Sequence, residues 1–300
     1  MKKILIAGGT GFVGKHLISF LAEKGYSINV LTRKQGSNSS GNIQFFQWDI
    51  EKEYIDKKAF ENVDTIINLT GANIGEKRWT EKRKSEIINS RIKSIDLLYS
   101  YVSEDNFNIN TFVSSSAVGF YGAVTTNEIF KETSKSGNDF LASVCQIWEN
   151  TAMKFNDLGI RTVILRNGVI IGKNGGIYQK LSPSAKLGIN VSLGSGKQYL
   201  PWIDIRDLVR LYEFILSNSK ISGIYNTVSS EQITMSDFSK TLLKSFDKKS
   251  IFPNAPAFII RLLFGKMSAM LLEGSRVSNE KLKGIGFSFE FDTIEKSLFQ

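Results

Sequence analysis

Residues 4–14, Ile-Leu-Ile-Ala-Gly-Gly-Thr-Gly-Phe-Val-Gly, restrict the fold more than any other stretch of this 300-residue chain. A short apolar run stops at glycines, and an amphipathic segment, Lys15 to Lys24, follows at once. Strand, glycine turn and helix start are what a dinucleotide pyrophosphate needs. Gly8 or Gly9 permits the tight turn, Gly11 lets backbone approach phosphate, and Gly14 lets the helix pack on its strand. The helix N-terminus adds free N–H groups and partial positive charge. A glycine triplet alone is weak evidence, but this one follows a strand and opens a helix. The competing reading is a glycine-rich turn that holds nothing.

Beyond the turn, strand and helix signals alternate. Segments 28–32, 43–48, 65–69, 111–115 and 162–165 read as strands, with helices near 15–24, 81–102 and 139–158. Such alternation predicts parallel βαβ units with helices on both faces. From Gly172 to Gly196 the chain reads as loop, rich in glycine and serine and holding Pro183. A strand-like 198–203, a helix over 204–217 and a possible returning strand at 224–228 follow. The expected architecture is α/β: a Rossmann-type doubly wound parallel sheet over 1–172, with contributions from about 197–230. Residues 173–300 form a smaller C-terminal substrate lobe.

Composition limits the alternatives. One cysteine, Cys145, rules out an intrachain disulfide framework and fits a reducing compartment, so the expected location is the cytoplasm. No cleavable signal is expected, because residues 4–9 are a strand-length run ending in glycines. Ala257–Leu272 is apolar but broken by Arg261, Gly265 and Lys266, which predicts a buried or partner-facing helix and no membrane span. The formal charge of +9 is scattered, with short clusters at 82–84 and 248–249 and no aromatic-interleaved basic stripe. A nucleic-acid partner therefore ranks last. The lone His16 has no metal-ligand cluster around it, and no metal is expected.

The second strand chooses between cofactors. An acid about twenty residues past the glycines favours NAD; here the strand ends Thr32-Arg33-Lys34. A guanidinium there pairs with a 2′-phosphate, so NADP is favoured over NAD. Asp49 and Ile50 are expected beside the adenine, and Leu69-Thr70-Gly71 beside the cofactor ribose.

The glycine turn, Asn68-Leu69-Thr70-Gly71-Ala72, and Ser114-Ser115-Ser116-Ala117 followed by Tyr121-Gly122 resemble the extended short-chain dehydrogenases/reductases. Gly71-Ala72-Asn73-Ile74, Arg78-Trp79-Thr80, Ser90-Arg91, the run 140–149, Leu165-Arg166-Asn167-Gly168 and 194–202 narrow the resemblance. They are similar to the atypical NAD(P)-dependent epimerase-like branch that carries a C-terminal domain of unknown function, matched here over 256–289. With the resemblance, the expected cofactor set is Gly8, Thr10, Gly11, Phe12, Val13, Gly14, Arg33, Asp49, Ile50, Leu69, Thr70, Gly71, Ser114 and Arg166.

The same resemblance implies a Tyr-x-x-x-Lys pair on one helix face, yet Leu141 and Cys145 stand at those positions. The ordinary acid–base dyad is absent. Ser116 matches the family serine, and Ser116, Tyr121 and Cys145 are the catalytic candidates. Glu149 shares the helix face of Leu141 and Cys145. Asn73, Arg78, Trp79, Tyr199 and Trp202 are expected to line a substrate cleft. Three functions remain: an NADP-binding oxidoreductase or epimerase acting on an unknown carbonyl or hydroxyl compound, nucleotide-sugar-like compounds among the candidates, through a non-standard proton donor; a non-catalytic NADP-binding sensor or structural protein; and, last, a nucleic-acid-associated Rossmann protein. A small-molecule substrate is the expected partner, with a homodimer as a possible assembly.

Overall fold

The protein was analysed as a computed structural model describing residues 2–34, 41–105, 107–250 and 253–300. Its strands are β1 Lys3–Ala7, β2 Ser27–Thr32, β3 Ile43–Asp49, β4 Tyr54–Ile55, β5 Thr65–Asn68, β6 Thr111–Ala117 and β7 Ile129–Phe130. Then come β8 Arg161–Asn167, β9 Val169–Gly172, β10 Tyr199–Leu200, β11 Trp202–Asp204, β12 Gly223–Thr227, β13 Ile233–Thr234 and β14 Arg276–Val277. The first five helices are α1 Phe12–Glu23, α2 Glu81–Glu104, α3 Phe140–Met153, α4 Gly176–Lys186 and α5 Ile205–Ser217. The rest are α6 Met235–Lys244, α7 Ala257–Phe264, α8 Ala269–Leu272, α9 Glu280–Gly284 and α10 Ile294–Phe299.

The main sheet runs β12-β8-β6-β5-β1-β2-β3-β4, parallel except for the short β4 at one edge. Period-two alternation sorts its apolar residues between two faces. Ile4 and Ile6 of β1 join the core under α1 and α5, with Leu17, Leu21 and Leu208. Leu5 and Ala7 join the opposite core with Ile95, Trp148 and Phe155, contributed by or just after α2 and α3. Both faces are covered, as a mostly parallel sheet requires. The chain goes from β1 to β2 on one side and returns to β5 on the other, so strand order reverses between β1 and β5. Ligands of open α/β sheets bind in the crevice at such a switch point.

Two expectations need correction. Residues 172–196, read as loop, contain α4, with Pro183 inside it. Proline lacks the amide that would complete the helical ladder and is a weak helix former. Here Ile177, Tyr178, Leu181 and Ala185 pack into a third core with Trp202, Phe238 and Leu242, and tertiary burial overrides local propensity. Secondly, Ala257–Leu272, read as a buried or partner-facing helix, is not one helix: α7 and α8 are separated by a 3₁₀ turn. Ile260 is buried, whereas Phe258, Leu262 and Leu263 are 57–74% exposed. Among the described residues no helix is long and apolar enough to cross a membrane.

Candidate functional site

The turn after β1 is built by exclusion. Gly8 has φ +82°, and a Cβ on it would stand 2.8 Å from the Leu69 carbonyl carbon. The loops after β1 and β5 therefore touch at the switch point, and the tight turn is made at Gly8. A Cβ on Gly14 would lie 2.5 Å from Gly9 Cα, which fixes how closely α1 approaches its strand. Gly11 differs: its nearest obstacle is the Gly8 carbonyl oxygen, 3.3 Å from a hypothetical Cβ. Thr10 and Gly11 are exposed. Helix α1 begins with no side-chain cap and no acid in its first turn. Its leading N–H groups are thus left for an anion. Phe12 turns aside onto Gly172, Gly175 and Gly176, and Val13 packs on the first core.

The loops around the turn carry the other expected cofactor residues. Arg33 is exposed at the end of β2 and makes no ion pair among the described residues. Asp49 Oδ1 accepts from the backbone amides of Glu51 and Lys52, while Ile50 is half-buried against the second core. Thr70 donates to Asn68 Oδ1 at 2.6 Å and also pairs with Ser94, which stiffens the segment holding Leu69 and Gly71. Ser114 is wholly buried, its hydroxyl donating to the Ser115 carbonyl.

Beside this turn opens a cleft of about 1290 Å³. Phe12, Lys15 and His16 of α1 form one end. Asn73–Gly75 and Gly168–Ile170 follow the ends of β5 and β8, and Phe264, Met267, Met270 and Leu271 close it from the C-terminal segment. Of the expected substrate residues, Asn73 lies in the lining. Arg78 is exposed and reaches the Leu262 carbonyl, and Trp79 donates to the Ile74 carbonyl with its ring edge on Phe140. Tyr199 lies under Arg276. Trp202 is a correction: it is fully buried, its indole N–H donating to the Glu231 carbonyl, because the expected strand splits into β10 and β11 and turns it into the third core.

The expected catalytic residues share one buried network. Ser116 Oγ donates to Glu149 Oε1 at 2.6 Å. Arg166 grips the same carboxylate in a fork, Nε to Oε1 at 2.9 Å and Nη2 to Oε2 at 2.8 Å. Its Nη1 donates to the Tyr121 hydroxyl at 3.0 Å, and that hydroxyl donates to Asn226 Oδ1 at 2.7 Å. The guanidinium also lies 3.4 Å from the Phe120 ring centre. Arg166, expected at the cofactor, instead neutralises Glu149 inside the fold. Tyr121 is likewise turned inward, and burial raises its pKa. Neither Ser116, Tyr121 nor Cys145 belongs to the cleft lining.

Burial, with the Glu149 carboxylate nearby, pushes the Cys145 thiol up to about 12. A neutral thiol is a poor nucleophile and a weak acid. In an open chain the thiol ionises near pH 8.5. Its raised folded value therefore gives stability that is full below about pH 8.5 and lost as pH climbs toward 12, at about 1.4 kcal/mol per pH unit. Urea melts at pH 8, 9, 10 and 11 should show a shallower decline for Cys145→Ala than for wild type. Equal slopes would remove this account of Cys145.

Some residues have a part that the sequence did not assign: Arg91 stands in it only as half of the Ser90-Arg91 family motif, and Lys180, Met267 and Met270 not at all. Arg91 on α2 is buried over the Trp148 ring and donates to the Ala72 and Ile87 carbonyls, yet its Nε has no partner among the described residues. Burial lowers its pKa to about 10. Its place under Gly71 depends on the packing of α2 against α3, which no local motif announces. Lys180, Met267 and Met270 reach the cleft from segments read as loop or as core helix. Among the described residues no cluster of His, Cys, Asp and Glu is arranged to hold a metal.

Comparison with known proteins agrees with this geometry. The model described as NAD dependent epimerase/dehydratase family matches residues 4–227, and Domain of unknown function (DUF1731) matches 255–299. The chain is 32% identical over 304 residues to Epimerase family protein SA0724 of Staphylococcus aureus (strain N315), covering 99% of this chain and 98% of that one. It is 30% identical over 297 residues to Epimerase family protein YfhF of Bacillus subtilis (strain 168), covering 99% and 97%. The crystal structure of human epimerase family protein SDR39U1 (isoform 2) with NADPH superimposes with a TM-score of 0.87. That match has 26% identity and covers 99% of this chain and 98% of that one. The Thermus thermophilus UDP-glucose 4-epimerase complex with NAD, at 18% identity and TM-score 0.76 over 99% and 97%, shares the fold.

Proposed function

The chain belongs to the NAD dependent epimerase/dehydratase family, and from that premise we propose that it is an NADP-dependent oxidoreductase or epimerase acting on a carbonyl or hydroxyl compound. The observation that carries this reading is the continuity of turn and cleft: Phe12 closes the glycine turn and also lines the cleft. A bound dinucleotide and a small molecule would share one space.

The residues present fit the cofactor. Gly11 leaves open the approach that a Cβ would fill, and the uncapped start of α1 offers N–H groups to a pyrophosphate. Arg33 is an exposed guanidinium at the end of β2, with no ion pair among the described residues, where a 2′-phosphate would be read. The human relative's structure contains NADPH, which supports the same choice. Bound NADP supplies hydride transfer, and the protein positions the substrate and handles one proton. Ser116 would have to turn its hydroxyl from Glu149 to reach a substrate oxygen, while Tyr121 faces Asn226 and Cys145 stays neutral.

A second reading, an NADP-binding protein without turnover, is favoured by one observation: all three catalytic candidates are buried outside the cleft lining. Fluorescence titration with NADPH and NADH, followed by NADPH oxidation across a panel of aldehydes, ketones and nucleotide sugars, separates the two. Binding with neither NADPH oxidation nor, with NADP+ loaded, epimer formation from the nucleotide sugars by NMR selects the second. Arg33→Glu should weaken NADPH about 100-fold, through one lost charge-assisted contact and one new repulsion, and leave NADH within about threefold. Equal wild-type affinities for the two would sink the 2′-phosphate assignment.

A further inference from the structure

Resting on that reading, we propose that the substrate carries an apolar body and an anionic end, and is not a nucleotide sugar. Phe264, Met267, Met270 and Leu271 make one wall of the cleft, facing Ile74 and Leu200. Among the described residues no Asp or Glu lines it, whereas Lys15 and Lys180 do. A sugar presents several hydroxyl donors, which need acceptors of the kind that carboxylates supply. This wall provides thioether and hydrocarbon instead, and the side-chain acceptors elsewhere in the lining are neutral ones, Ser19, Asn73, Asn174 and Gln179. It rewards apolar area removed from water, and methionine adapts to irregular shapes.

Three chain segments converge at Gly75. A Cβ placed there would be 3.2 Å from Met270 Cε, 3.8 Å from Lys180 Nζ and 3.9 Å from Asn73 Oδ1. The lysine donates to the Gly75 carbonyl at 3.1 Å. An ammonium has three donors, so two remain for an anion. Apolar surface and cation thus stand side by side, with an amide to orient a polar group between them. The crevice of about 620 Å³ between α2 and the β3–β4 turn offers a contrast. Both of its lysines already pair with carboxylates of the same crevice, Lys57 with Asp105 and Lys93 with Glu51.

The test uses the 300-residue chain. NADPH binding is measured first by fluorescence, then decanoate, phenylpyruvate and UDP-glucose are titrated by calorimetry with NADPH present. Decanoate and phenylpyruvate should bind at least about tenfold more tightly than UDP-glucose. Lys180→Glu should weaken both by about tenfold or more, and Lys180→Arg should hold within about threefold, as expected for a partly exposed charge contact. Met270→Glu should weaken decanoate further by placing a carboxylate in the apolar wall. Tighter binding of UDP-glucose, or decanoate affinity indifferent to Lys180→Glu, overturns the proposal. NADPH binding without any apolar-anion binding leaves the cofactor reading standing and sinks this one. Decanoate binding without NADPH binding sinks the cofactor reading and, with it, the claim that this ligand class is the substrate.

Discussion

Glu149→Leu should cost about 3–5 kcal/mol of folding stability, a large share of what a domain of this kind possesses. The substitution leaves Arg166, 2% exposed, without the carboxylate that its Nε and Nη2 grip. It also strips the Ser116 hydroxyl of its acceptor. The penalty comes chiefly from stranding a buried cation, more than from the pair's net worth. Glu149→Leu combined with Arg166→Met should therefore recover much of the loss, because the second change removes the stranded charge. Urea midpoints of wild type, both single variants and the double variant measure this coupling. A loss below about 1 kcal/mol for Glu149→Leu would show that Arg166 finds other partners.

Gly14→Val and Gly11→Ala should fail in opposite ways. At Gly14 a Cβ meets backbone, 2.5 Å from Gly9 Cα and 2.6 Å from the Gly8 carbonyl oxygen. Backbone cannot rotate aside, so α1 must lift from β1, at a cost of about 3 kcal/mol for this overpacking. At Gly11 the nearest atom is 3.3 Å away, and the exposed side of the turn accepts a methyl group. Its fold should hold within about 1 kcal/mol, while NADPH affinity drops about tenfold or more, because the methyl stands where phosphate approaches. Thermal melts and NADPH titrations of both variants decide. Unchanged NADPH affinity in a folded Gly11→Ala protein would move the pyrophosphate away from this turn.

Much of the fold was legible because the signals are local. Each central strand is a short apolar run ended by glycine or polar residues, and the family resemblance drawn from the turn and the serine run is confirmed by the matching family models. Helix α4 was not legible. Its glycines and Pro183 argue for loop, and what holds it is burial of Ile177, Leu181 and Ala185 against residues some fifty positions later. The candidate site divides in the same way. Gly8 and Gly14 declare themselves by spacing. Trp202, Tyr121 and Arg166 were read as facing ligand because they sit near strand ends, where the sequence does not show which way a side chain turns. Only the partners reveal it: Glu231 for Trp202, Asn226 for Tyr121 and Glu149 for Arg166.

The position of β12 has a consequence for biosynthesis. This strand pairs with β8, Gly223 opposite Val163 through Thr227 opposite Asn167, yet about fifty-five residues separate them in the chain. A nascent polypeptide that has emerged only as far as β9 displays β8 as a bare edge, with an unpaired row of N–H and C=O groups beside Val163, Ile164 and Leu165. Such an edge is a template for pairing with other chains. The ribosome must add α4, β11 and α5 before the edge can close. During that interval the bare β8 edge exposes the chain to pairing with other chains and to aggregation.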